Sequence, residues 1–120
     1  MKLRAIKIDR RFIPEWNGNK DLPPNEQLVI TFSRIPATSE KQNYVNFSFK
    51  NGATEIIYND NLLIAAFISK VENLELDDQK IKDGKDLATA SHPRLASLFL
   101  EIRTYLFPED EDLTAGESKA

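Results

Sequence analysis

The sequence predicts a small α+β domain: an antiparallel sheet of about four strands, in two hairpins, packed against two helices at about 61–72 and 92–107. Three observations carry this expectation. Residues 44–50, YVNFSFK, alternate apolar and polar side chains and run into Asn51-Gly52 and a second β-rich run, TEIIYN. Two such runs flanking Asn-Gly are the strongest short-range hairpin signal. From Leu62 to Ile68 seven consecutive residues are apolar, which suits a helix buried on every side. Finally, Leu95, Leu98, Phe99, Ile102, Tyr105 and Leu106 repeat at helical spacing and draw one stripe along a helix.

Taken in order, residues 2–13 read as a first strand, with Ile6, Ile8 and Phe12 on one face and Lys7, Asp9 and Arg11 on the other. Pro14 ends it. Residues 14–26 are turn chemistry, with Asn17-Gly18 and Pro23-Pro24. Trp16 reads as folding back over the hydrophobic edge of this hairpin rather than as an exposed anchor for a partner. Residues 27–35 read as a second strand, antiparallel to the first, with Leu28, Ile30 and Phe32 sharing a face. In the next hairpin, 44–50 with 54–58, the pattern points Val45, Phe47 and Phe49 inward and Asn46, Ser48 and Lys50 outward.

Asn59 or Asp60 can cap the central helix, and Asn73 can stop it, because Asn tolerates a left-handed backbone. Leu74–Leu76 and Gln79–Lys82 suit a short ribbon, and residues 85–90 a helical turn. Ser91 or His92 can cap the last helix, Pro93 fits its first turn, and Pro108 ends it. Residues 1–107 therefore read as one domain and 108–120 as a flexible acidic tail with too few apolar residues to offset ordering.

Charge and composition narrow the function classes. The chain of 120 residues carries a net charge of −3. Residues 108–120 hold five acidic side chains against Lys119, so residues 1–107 sum to +1. A near-neutral body does not give the field of a nucleic-acid binder, and its aromatics follow the core pattern rather than interleaving with basic residues. The apolar run is too short to cross a membrane. No secretory signal is visible, so the expected location is the cytoplasm. With no cysteine, disulfides, thiolate chemistry and Cys-based zinc sites are excluded.

Motifs for chemistry fail one by one. Setting Gly84 at the invariant EF-hand glycine puts Gln79, Ile81 and Asp83 at the first, third and fifth ligand positions and Ala90 at the bidentate Glu. His92 is the single histidine and has no second ligand at metal spacing. Asp77-Asp78 and the run Glu109–Asp112 lie in polar segments where burial does not tune a carboxylate. Four glycines build no phosphate loop, dinucleotide turn or nucleophile elbow. The expectation is therefore no catalytic, cofactor-binding or metal residues, and no cofactor.

Two segments together resemble a known group. They are RRFIPEWNGNKDLPPNEQLVITFSRIPATSEKQ, Arg10 to Gln42, and VENLELDDQKIKDGKDLATASHPRLASLFLEI, Val71 to Ile102. They resemble small proteins encoded among the tail and head genes of tailed bacteriophages and prophages, tail assembly chaperones or minor structural proteins. The resemblance covers about half the chain and departs at the Tyr44–Tyr58 hairpin, where such proteins often carry a charged helix. It implies a non-enzymatic role in virion assembly through protein–protein contact, in the host cytoplasm or the virion. Its partners would be other morphogenesis proteins, such as tail-tube or tape-measure proteins, or further copies of the chain, and not nucleic acid, membrane or a small molecule. Two other classes stand beside it: a small ligand- or regulator-binding domain, and an enzyme acting through Asp, Glu or His92.

Overall fold

The computed structural model describes residues 8–108, and the first strand's residues 2–7 and the acidic tail from Glu109 lie outside that range. The chain is α+β, and the described residues form three small antiparallel sheets. The main sheet has the order β1 (Arg11–Phe12), β2 (Val29–Phe32), β5 (Ile68–Glu72). A separate hairpin is made by β3 (Val45–Lys50) and β4 (Ala53–Tyr58). A ribbon pairs β6 (Glu75–Leu76) with β7 (Gln79–Lys80), as the sequence indicates for 74–82. The helices are α1 (Asp60–Phe67), α2 (Gly84–Thr89) and α3 (Leu95–Leu106).

The core lies where the main sheet meets the helices. Ile30 and Phe32 of β2 pack with Leu63, Ile64 and Phe67 of α1, Leu87 of α2, and Leu98, Ile102 and Leu106 of α3, all essentially without solvent contact. Burying such side chains contributes about 1.5–3 kcal/mol each. On the sheet's flank Phe12 stacks on Tyr105 at a centroid distance of 4.1 Å, and the Tyr105 hydroxyl donates to the Asp9 carbonyl at 2.7 Å.

The central segment departs from the expected helix over 61–72. The helix stops at Phe67, and Ile68–Glu72 becomes the third strand of the main sheet. Ile68 and Val71, three apart, suit one helical face, yet both are buried in a strand. The ladder explains this. Phe32 faces Ile68 and Thr31 faces Lys70, so Ser69 is one extra residue, a bulge. The bulge restores Ile68 and Val71 to the same face, and the Ser69 hydroxyl donates to the Thr31 carbonyl at 3.1 Å. The helix is also not buried on every side: Leu62, Ala65 and Ala66 face solvent. Asn73 does take a left-handed backbone, φ 64°, but it ends β5, and its amide donates to the carbonyls of Asn25 and Gln27.

Other boundaries shift for local reasons. The ladder of β2 covers 29–32 rather than 27–35; at its start the Leu28 N–H and carbonyl are both taken by the Asn19 side chain, and the Gln27 carbonyl by the Asn73 amide. Asn59 makes no side-chain cap, and the Asp60 carboxylate is taken by Arg103 instead. α3 begins at Leu95 rather than 92, with His92 Nδ1 accepting from the Arg94 N–H at 3.2 Å. Asn17 and Gly18 both hold positive φ, as their turn requires, and Trp16 is half-buried against the core. Its indole N–H donates to the Arg94 carbonyl at 3.0 Å and Ser97 Oγ at 3.1 Å.

Candidate interaction site

The hairpin that the sequence marks most clearly is the one whose burial it misstates. Asn51 at φ 54° and Gly52 at φ 77° form the two-residue turn with two left-handed residues whose twist matches paired strands. The register then sets Phe47 against Ile56, Phe49 against Thr54, and Val45 against Tyr58. Opposed residues share a face. One face is thus Val45, Phe47, Phe49, Thr54, Ile56 and Tyr58, and the other is Asn46, Ser48, Lys50, Ala53, Glu55 and Ile57.

The alternation of 44–50 predicts that Val45, Phe47 and Phe49, and so this first face, point into the core. The face does not. Phe47 is 68% exposed, Phe49 82% and Ile56 51%. Alternation fixes which side chains lie together, not what they lie against. Among the described residues no strand joins either outer edge of β3–β4, so the pair extends away from the main sheet with both faces open.

The base of the hairpin, by contrast, is held firmly. The Asn59 N–H donates to the Tyr44 carbonyl at 2.7 Å, closing the stem. The Tyr44 ring meets Phe67 edge to face at 5.6 Å. Arg103 of α3 lies over the Tyr58 ring at 3.8 Å, and its Nη1 donates to both Asp60 carboxylate oxygens at 2.8 and 2.9 Å. On the other flank Arg34 lies over Phe67 at 4.8 Å and makes a two-pronged pair with Glu40, at 2.8 and 2.6 Å. Glu40 Oε2 also accepts the Ala37 N–H. The hydrogen bonds from Arg34 and then from the Ala37 backbone hold the Glu40 carboxyl well below its usual range, at about 2.

The residues considered for chemistry are spread apart and occupied locally. His92 sits at the start of α3. Asp77 and Asp78 form the exposed turn of the β6–β7 ribbon, both at positive φ. Asp83 accepts the Asp86 N–H at the start of α2, and Asp86 accepts the Lys82 N–H, so these carboxylates cap backbone rather than face one another across a cation site. Arg10 reaches the Ser33 carbonyl. Among the described residues no group of three or more His, Asp or Glu comes together as a metal site. Concavities of about 520–590 Å³ among the described residues are grooves open to solvent with mixed lining, two along Phe12, Ile13 and Tyr105 and two around the β6–β7 ribbon. No described helix is long and apolar enough to cross a membrane.

Neither the exposure of the aromatic face nor the Arg103–Asp60–Tyr58 clamp follows from the sequence pattern. One signal for the former was present: Ile56 and Ile57 are adjacent, so β4 puts an apolar side chain on each face, which a strand with one buried face does not need. Compared with known proteins, the chain matches no protein-family model, no curated protein and no solved structure.

Proposed function

We propose that the chain is a non-enzymatic assembly or structural protein of a tailed phage or prophage virion, acting through protein–protein contact with the β3–β4 hairpin as its contact element. The observation that carries the contact role is the exposure of Phe47 and Phe49, side by side on an uncharged face. Leaving each ring in water forgoes about 1.5–3 kcal/mol of burial, which a partner covering the face would recover. A stem anchored at Tyr44, Tyr58 and Arg103 presents the face in one orientation, so little ordering cost falls on binding. The resemblance of Arg10–Gln42 and Val71–Ile102 to phage morphogenesis proteins supplies the setting, in host cytoplasm or virion.

The test is co-purification of the full chain with the products of its neighbouring genes, tail-tube and tape-measure proteins included. The expected result is capture by the native chain and its loss in Phe47→Ser/Phe49→Ser, with the thermal midpoint unchanged. A metabolic gene neighbourhood, or capture that survives the double substitution, would overturn the proposal.

A further inference from the structure

The hairpin face carries a second, more specific inference, which rests on its reading as the contact element. We propose that the Phe47, Phe49 and Ile56 face docks on the same face of a second copy of this chain. The product is a weak two-fold dimer that covers the rings until an assembly partner displaces it.

A two-fold contact sets a patch against itself, so any charge in the patch meets its like. This patch passes that condition. Val45, Phe47, Phe49, Thr54 and Ile56 carry no charge, and among the described residues cations meet the face at Tyr58 in the base, where Arg103 and Lys41 lie over the ring. Lys50 and Glu55 stand on the opposite face and cancel each other. A nucleic acid or an anionic surface would find a single lysine across the whole hairpin, which disfavours those occupants.

The area sets the strength. With a full Phe side chain offering about 200 Å², the exposures of Phe47, Phe49 and Ile56 amount to about 400 Å² per copy, or about 800 Å² for the pair. A stable standard interface needs about 1,200–2,000 Å². A dimer through this face alone is therefore weak and concentration-dependent. That suits a temporary cover, since a partner burying more surface outcompetes it by mass action.

The experiment is sedimentation equilibrium of the full chain between about 1 µM and about 1 mM, the span in which a weak association shows itself. The expected result is a weight-average mass rising from monomer toward dimer, little changed by added salt, because the contact is apolar. Phe47→Ser/Phe49→Ser should stay monomeric throughout, with an unchanged circular dichroism spectrum. Leu100→Ser, at an exposed leucine on α3, should dimerise as the native chain does. A native chain monomeric up to the highest concentration, or a dimer that persists in the double variant, would overturn self-docking. Partner capture lost in the same double variant, with the native chain monomeric, would leave the assembly role standing and remove only the dimer.

Discussion

Arg103 lies 3.8 Å over the ring of Tyr58, and the same guanidinium holds Asp60 through two hydrogen bonds. The contact joins the end of β4 to α3 across 45 residues of chain, at a point where both ions are about four-fifths buried. It is the strut between the projecting hairpin and the core. Removing Arg103 leaves the Asp60 carboxylate without its partner, which costs more than the pair contributes. Arg103→Ala should lower stability by about 1–3 kcal/mol. It should also speed amide exchange at Tyr58 and Asn59 more than at β2. Denaturant melts and hydrogen exchange check the two parts separately.

Asn19 is a buried polar side chain with every bond accounted for. Its amide N–H groups donate to the carbonyls of Pro14 and Leu28 at 2.9 and 3.0 Å, and its Oδ1 accepts the Leu28 N–H at 2.6 Å. It ties the loop after β1 to the start of β2. Asn19→Asp keeps the shape but replaces two donors with an acceptor facing carbonyl oxygens. The expected loss is about 2–4 kcal/mol, larger at pH 7 than at pH 4, where the new carboxyl takes up a proton. Chemical denaturation at the two pH values measures both the loss and its direction.

Gly84 opens α2 against the body of α1. A Cβ there would run into the carbonyl oxygen of Ile64 and lie 2.6 Å from that of Ile68. Both obstacles are backbone and cannot swing aside. Gly84→Ala should therefore destabilise by about 1–3 kcal/mol through overpacking, although alanine favours a helix. A thermal midpoint equal to the native value would show that α2 is free to shift.

The Glu40 carboxyl is held at about 2 by Arg34 and by the Ala37 N–H. A folded pKa below the unfolded value means that the stabilisation is present above the usual carboxylate range near 4.3 and is lost as pH falls through about 2. Glu40→Gln should therefore flatten the decline in stability between about pH 4.5 and pH 2. At pH 7 the variant should be the less stable protein, and at pH 2 the two should converge. The urea midpoint as a function of pH measures the difference.

Local chemistry was the part of the fold that could be read from the sequence. Asn51-Gly52 placed the hairpin within a residue of its true strands, and the Leu95-to-Leu106 stripe placed α3. What escaped was set by non-local pairing. Nothing in Ile68–Glu72 states that β2 lies beside it, and a bulged strand has the same spacing of apolar residues as a helical turn. For the interaction site the failure was of another kind. The pattern Val45, Phe47, Phe49 suits a core-facing strand because apolar faces usually are buried, whereas α1, α3 and the main sheet already fill one another. Arg103 and Asp60 offered no sequence signal, since their meeting depends on how α3 crosses the start of α1.

The extra residue in β5 also decides where the chain tolerates a change of length. Losing one residue from a regular strand turns every following side chain to the opposite face. Losing Ser69 does the reverse. Ile68, Lys70, Val71 and Glu72 would then alternate without interruption against Phe32, Thr31, Ile30 and Val29, each still opposite its present neighbour. The sheet thus contains one position at which a single-codon deletion leaves the buried set intact, and in related sequences that is where a gap belongs.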